Sequence, residues 1–401
     1  MKRSLELYVH IPFCVKKCAY CDFLSFGKQA WREETKRAYV TGLCAEIESY
    51  HVLSVQYEIV TIYFGGGTPS LLSEEEIALI LKTIKQNFSV REDAEITLEC
   101  NPGTTNLEKF SAWRDVGINR LSIGLQSTSD EMLARLGRIH TFAQFETQYA
   151  QARHAGFTNI SVDLMSALPG QTLEDYREDL NKVIALNPEH ISSYGLILEE
   201  HTPFYEDASI RQRLPDEDTA LLMYEETKER LKEAGYDRYE ISNYAKSGYE
   251  SRHNKGYWTG VPYLGVGLGA SSYLILEEGK KRYLRFHNPT ELKEYDMQEK
   301  GKNAQEAFLA RKKTWQEVEE LTEQDRMEEF VFLGLRMREG ISFLKFERLF
   351  HVSFLSVYED AVKKNEAAGM VRQIQKNGEV RLCLTDAGIE VSNQVFLDFL
   401  F

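Results

Sequence analysis

Six segments of this chain alternate apolar and polar positions, or run apolar into a turn signal, and each predicts a strand: "LELYVHI", "TIYFGGG", "AEITLECNP", "NRLSIGLQS", "NISVDLMSALPG" and "HISSYGLIL". Between them, apolar residues recur at helical spacing over residues 34–49, 73–87, 107–116, 142–155 and 173–186. Strands alternating with helices predict a parallel sheet, and right-handed crossovers curl such a sheet toward a barrel. Six units fall short of the eight of a closed barrel. The expected fold class is therefore α/β, an incomplete (β/α)6 barrel, whose active site is built by the loops after the strand C-terminal ends.

Beyond residue 200 the rhythm is lost. A helix over residues 216–234 leads into "YDRYEISNYAKSGYESRHNKGYW" and "YLGVGLGASSY", rich in tyrosine and glycine, which are expected to add sheet elements and cover the barrel mouth. From Thr322 a long amphipathic helix is followed by "GISFLKFERLF", a helix near residues 357–368 and a hairpin, "MVRQIQKNGEVRLCLT", turning at Asn377-Gly378. The chain thus divides into a partial barrel at 1–200, a sheet extension at 201–310, and a small winged-helix-like C-terminal domain at 311–401.

Composition narrows the function classes. Hydrophobic residues at 43% and charged residues at 27% suit a folded chain with a sizeable core. A net charge of -14 disfavours wrapping a nucleic-acid backbone, so no nucleic-acid partner is expected. The start, "MKRSLELYVHIPFC", reads as neither signal peptide nor membrane span, which places the protein in the cytoplasm. In that reducing compartment the cysteines favour a metal site over disulfides. Cys14, Cys18 and Cys21 cluster, while Cys44, Cys100 and Cys383 lie apart and are expected to pack.

The stretch "CVKKCAYC" brings three soft thiolates onto one short loop, as an iron-sulfur cluster or zinc would need. Three thiolates on a cubane leave one iron open, and an amino acid moiety can chelate it through amine and carboxylate. A structural zinc knuckle and coincidence are the alternative readings, but zinc usually takes four ligands and no fourth Cys or His follows at finger-like spacing. In "YFGGGTPS", Gly65, Gly66 and Gly67 let backbone approach a ligand closely, and Pro69 suits a helix start.

The C-x3-C-x2-C spacing after the first strand resembles the radical SAM superfamily, whose members carry a 4Fe-4S cluster and S-adenosylmethionine on an incomplete barrel. Further stretches resemble one group within it, containing oxygen-independent coproporphyrinogen III dehydrogenase and the haem chaperones: "YVHIPFCVKKCAYCDF", "GGGTPS", "ECNP", "IGLQS", "LARLGRIH", "VDLMSALPGQT" and "RHNKGYW". The resemblance implies cluster ligation by Cys14, Cys18 and Cys21. It implies S-adenosylmethionine contacts from Tyr8, Tyr20, Gly66, Gly67, Thr68, Glu99, Gln126, Arg138 and Asp163. Taken singly, each of these could equally be a solvated or supporting group.

Two features separate the members of that group. The dehydrogenase carries a further cysteine two positions after the third ligand, where this chain has Phe23. The haem chaperones carry H-N-x-x-Y-W, matched here by His253, Asn254, Tyr257 and Trp258, so the resemblance implies haem at these four residues. An imidazole can ligate haem iron and the aromatics offer flat faces; the alternative is a turn-capping histidine beside packed aromatics. The leading expectation is a haem chaperone with no assigned catalytic residue, delivering haem to apoproteins, respiratory ones among them. It would draw on an electron donor such as flavodoxin or ferredoxin, form a homodimer, and touch the membrane transiently through its acceptor. The alternative is radical oxidative decarboxylation of coproporphyrinogen III, and a third, disfavoured reading has the C-terminal domain bind DNA.

Overall fold

The computed structural model describes residues 2–295 and 303–401. Six parallel strands follow one another in chain order: β1 (Arg3–Ile11), β2 (Tyr57–Gly66), β3 (Val90–Cys100), β4 (Arg120–Gln126), β5 (Ile160–Ser166) and β6 (His190–Gly195). The intervening helices include Glu33–Ser49, Glu74–Asn87, Leu107–Val116, Phe142–His154 and Leu173–Leu186. Several start on capping boxes, Ser73 with Glu76, Thr141 with Gln144 and Thr172 with Asp175, which satisfy first-turn N–H groups that would otherwise lack partners. A short helix, Asp130–Leu136, escaped the periodicity because it is under two turns of apolar repeat.

The barrel is not closed. Beside β1 lie β9 (Tyr263–Val266), β10 (Ser271–Glu278), β11 (Lys280–His287) and β12 (Gln316–Glu320); beside β6 lie β8 (Asn243–Ala245) and β7 (Asp237–Arg238). Among the described residues this makes one twelve-stranded sheet in the order β12-β11-β10-β9-β1-β2-β3-β4-β5-β6-β8-β7. Glu46, fully buried in the first helix, ties the extension down. Its carboxylate accepts the Gly267 N–H at 2.9 Å, the Asn288 amide at 2.7 Å and the Tyr295 hydroxyl.

Register explains why these strands alternate although both sheet faces are buried. Leu7, Ile62 and Ile96 pair across β1, β2 and β3, and Val9, Phe64, Leu98, Leu121 and Ile160 pair one row along, all packed under the helices. The other face is polar. Its rows are Glu6, Thr61 and Glu95; then Tyr8, Tyr63, Thr97 and Arg120; then Glu99, Ser122, Ser161 and His190. A final row aligns Gly124, Asp163 and Ser192. Parallel strands usually read as continuous apolar runs; here the inner face lines a cavity instead.

The helix Arg252–Thr259 lies on the row nearest the strand N-terminal ends. Its first turn donates the Arg252 and His253 N–H groups to Glu95, each at 3.1 Å, where a carboxylate also meets the positive end of the helix dipole.

The C-terminal module has its own core, including Val331, Phe346, Phe354, Val362 and Leu382. Three helices, Glu323–Gly334, Phe343–Phe350 and Phe354–Ala367, pack with a sheet of β13 (Ile341–Ser342), β15 (Glu379–Leu384) and β14 (Val371–Lys376). The hairpin turns at Asn377 and Gly378, with φ 53° and 78°, the positive pair of a type I′ turn. Residues 316–320, assigned above to this module, instead pair with β11 of the large sheet as β12. That strand is "QEVEE", an edge strand facing water, so no apolar alternation marked it. No helix among the described residues is long and apolar enough to cross a membrane.

Glu6 generates a test of the polar face. Burial, reinforced by the charge of Glu95, pushes its carboxyl up to about 9, and its Oε2 has no partner. A Cβ on Gly256 would come within 1.8 Å of its Oε1, so with Glu6 in this rotamer the helix passes close because that position is glycine. Folded Glu6 therefore holds a proton that the unfolded chain releases above about pH 4.5. Its contribution is present at low pH and is lost as pH rises toward about 9, by up to about 1.4 kcal/mol per unit. Urea unfolding of wild type and Glu6→Gln between about pH 5 and about pH 9 should show the variant gaining relative stability with rising pH; parallel curves would contradict this.

Candidate functional site

The loop after β1 carries Cys14, Cys18 and Cys21, all free thiols. It is folded by backbone rather than by sulfur. The Cys14 N–H donates to Phe26 at 2.9 Å, Cys21 to Cys18 at 3.2 Å, and Trp31 donates its indole N–H to the Cys14 carbonyl at 3.1 Å. The sulfurs also meet donors, the Thr68 hydroxyl at 3.5 Å from Cys14 Sγ and Arg138 Nη1 at 3.7 Å from Cys18 Sγ. Among the described residues no three Cys, His, Asp or Glu side chains converge tightly enough to hold one metal ion. Three soft thiolates on one short loop are nonetheless the donors an iron-sulfur cluster takes, while a structural zinc site wants four ligands. The donor set fits a multi-iron cluster.

All three cysteines open onto a cavity of about 320 Å³ at the C-terminal ends of the strands. Of the nine residues named for S-adenosylmethionine, Tyr20, Gly66, Gly67, Thr68, Glu99, Gln126, Arg138 and Asp163 line it. Tyr8 does not. Its hydroxyl lies 3.0 Å from His10 Nδ1 and its ring is stacked on Tyr63. Tyr8 shares its row with Tyr63 and Arg120, which do line the cavity, but it stands on β1 behind the Tyr63 ring.

Gly66 and Gly67 have distinct reasons to be glycine. Gly66 adopts φ +109°, and at Gly67 a Cβ would press within 3.0 Å of backbone atoms of Ile11 and Phe13 in the cysteine loop. The glycine turn and the cluster loop are therefore in mutual contact. Gln126, also at positive φ, accepts the Tyr194 hydroxyl at 2.9 Å.

Glu99 and Asp163 face each other electrostatically across the cavity. Burial first, then the Asp163 charge, raises the Glu99 carboxyl to about 7, although the Tyr63 hydroxyl donates to it at 2.7 Å. Burial also raises Asp163, offset by hydrogen bonds from Ser192 and Ser122 and by the Arg120 charge. Arg138 donates to Asn101 Oδ1 at 2.8 Å and to the Gly124 carbonyl, while its Nε is buried without a partner. That leftover donor and the two buried carboxylates fit a polar ligand that completes them.

Sequence reasoning missed the inner-face residues Tyr63, Arg120, Ser122, Ser161, His190, Ser192 and Tyr194, which also line the cavity. Their signal was present as polar residues at every second position of otherwise apolar strands.

The four residues named for haem do not stay together. Asn254 lines the cofactor cavity, whereas Tyr257 and Trp258 face a separate one. His253 lines neither. It is 1% exposed, with Nδ1 2.7 Å from Thr61 Oγ1, Nε2 3.0 Å from the Tyr257 hydroxyl, and its ring stacked on Tyr63 at 5.0 Å. Burial, then the Arg120 charge, lowers it to about 3, so the ring is neutral and both nitrogens are engaged. In this conformation it packs in the core with both ring nitrogens held by hydroxyls, and it opens onto neither cavity.

The Radical SAM superfamily profile matches residues 8–183, and the HemN C-terminal domain profile matches residues 321–391. Over its full length the chain is 36% identical to the haem chaperone HemW of Lactococcus lactis, covering 98% of that protein. The chain belongs to the HemW family. A second HemW, from Bacillus subtilis, is 34% identical over 98% of both chains. The fold of this HemW family member is shared by coproporphyrinogen III oxidase (HemN) from Escherichia coli, with a TM-score of 0.80 over 99% of this chain and 90% of that one at 24% identity.

Two variants check the geometry. Gly67→Ala should displace the cysteine loop and lower iron and sulfide content after anaerobic reconstitution; wild-type content would contradict the contact. His253→Ala should destabilise the fold by about 2–4 kcal/mol, through a cavity and unpaired hydroxyls on Thr61 and Tyr257. A urea midpoint equal to that of wild type would show that the imidazole is not structural.

Proposed function

We propose that this HemW family member is a haem chaperone: Cys14, Cys18 and Cys21 hold a 4Fe-4S cluster, the adjoining cavity holds S-adenosylmethionine, and haem is carried to haem-accepting apoproteins. The observation that carries the proposal is the end-to-end match to a haem chaperone, joined to a cysteine loop that opens onto a cavity of fitting chemistry. When bound, the cluster and S-adenosylmethionine supply one-electron chemistry at the sulfonium sulfur. The residues of this chain supply binding. Glu99 and Asp163 offer carboxylate oxygens to ligand amine and hydroxyl groups, and Arg138 offers its unpartnered N–H to a carboxylate. Gly66, Gly67 and Thr68 bring backbone and a hydroxyl beside the thiolates. The reading includes a one-electron donor of flavodoxin or ferredoxin type, a homodimer, a cytoplasmic location, and membrane contact only through an acceptor.

Product analysis tests the function. Cluster-loaded protein should transfer haem to an apo-haem protein and form no protoporphyrinogen from coproporphyrinogen III under anaerobic conditions. Release of carbon dioxide with protoporphyrinogen would overturn the proposal.

A pH profile tests the cavity. Ligand groups pair with ionised Glu99, so S-adenosylmethionine affinity should hold above about 7 and weaken as pH falls below it, by up to about tenfold per unit. Equilibrium dialysis with Glu99→Gln should show weaker binding and a flat profile. A wild-type profile in that variant would remove Glu99 from the site.

A further inference from the structure

A second and larger cavity, of about 540 Å³, lies where β9, β10 and β11 meet the C-terminal module. Its size is that of a small-molecule site. Aromatic rings wall it: Tyr257 and Trp258 from the helix Arg252–Thr259, Tyr263 and Tyr283 from the sheet, Phe330 and Phe350 from the module. Four cations, Arg285, Arg326, Lys345 and Arg381, share it with two carboxylates, Glu329 and Glu339. The surplus is two positive charges, inside a chain whose net charge is -14.

The cations are not equivalent. Arg285 is neutralised by Glu329 at 2.7 Å, and Arg381 is spent on the Glu339 and Gly340 carbonyls, both at 2.7 Å. Arg326 forms no ion pair with a described residue; its guanidinium lies over the Tyr283 ring at 3.7 Å from the centroid. Lys345 donates to the Thr259 carbonyl at 3.1 Å and likewise has no carboxylate partner among the described residues. Two cations without a carboxylate partner among the described residues, beside aromatic walls, match a ligand with a flat apolar body and two carboxylates.

We infer that this cavity binds a flat dianionic macrocycle and is the haem-carrying site, with Arg326 and Lys345 holding the two propionates against walls that include Tyr257 and Trp258. The inference rests on the haem-chaperone reading. It also separates cargo from cofactor: the two cavities share no lining residue, and buried His253 connects Tyr63 of the first to Tyr257 of the second. The H-N-x-x-Y-W segment then contributes its aromatics to cargo, while its histidine remains in the core.

The test titrates ferric haem, and haem dimethyl ester lacking both carboxylates, into full-length cluster-loaded wild type, Arg326→Glu and Leu333→Trp, the last filling the cavity. Wild type should bind haem saturably and prefer it over the ester by roughly tenfold or more. Arg326→Glu should abolish that preference, and Leu333→Trp should weaken both ligands. If wild type binds no haem, the chaperone reading falls and this site with it. If wild type binds haem but does not distinguish the ester, or if both variants retain wild-type unfolding and wild-type haem affinity, the site assignment falls while the chaperone reading stands. Should a variant fail to fold, the comparison of haem with its ester on wild type still decides.

Discussion

Burying polar groups on the inner face of a parallel sheet is the constraint around which this protein is arranged. Glu6, Glu95, Glu99, Asp163, Arg120 and His190 all project from strands packed under helices on their other side. Burial of such groups is costly unless they pair, hydrogen-bond or give up their charge. All three responses occur. Glu95 caps the helix Arg252–Thr259 through two N–H groups, the charge of Arg120 offsets the upward push on Asp163, and Glu6 keeps its proton. The histidines answer in the opposite sense: burial and Arg120 keep His190 and His253 neutral.

The two ends of this polar interior are treated differently. At the strand N-terminal ends the helix Arg252–Thr259 closes the lumen, with His253 bonded on both nitrogens. At the C-terminal ends Glu99, Asp163 and the Arg138 Nε are left for a ligand to complete, beside three cysteines. A chaperone that carries one redox-active group and one cargo gains from keeping them apart, and the fold offers a second cavity for the cargo that shares no lining residue with the first and connects to it through the contacts of Tyr63, His253 and Tyr257.

Much of the barrel was legible because its signals are local. "ECNP" stops β3, apolar spacing marks the helices between the strands, and Asn377-Gly378 turns the hairpin, each within a few residues. The cysteine loop was legible for the same reason. What escaped depends on contacts remote in sequence. Tyr8 and Tyr63 share one row of the inner face, and only the packing of one ring on the other leaves Tyr63 in the cavity and Tyr8 behind it. His253 was expected to face haem because it opens the H-N-x-x-Y-W motif; Thr61, which holds its Nδ1, lies 192 positions away. Strands β7 and β8, of two and three residues, are too short to carry a period, and β12 is an exposed edge. The second cavity joins residues 257–285 to residues 326–381, so no motif could announce it.

Separate occupancy of two cavities is the central claim, and simultaneous equilibrium binding tests it most directly. Cluster-loaded protein would be saturated with S-adenosylmethionine and titrated anaerobically with ferric haem, then the order reversed. The account predicts that one molecule of each binds in the presence of the other. Mutual displacement, with apparent haem affinity falling in proportion to S-adenosylmethionine without reaching a limit, would show that both compete for the barrel cavity and would contradict it.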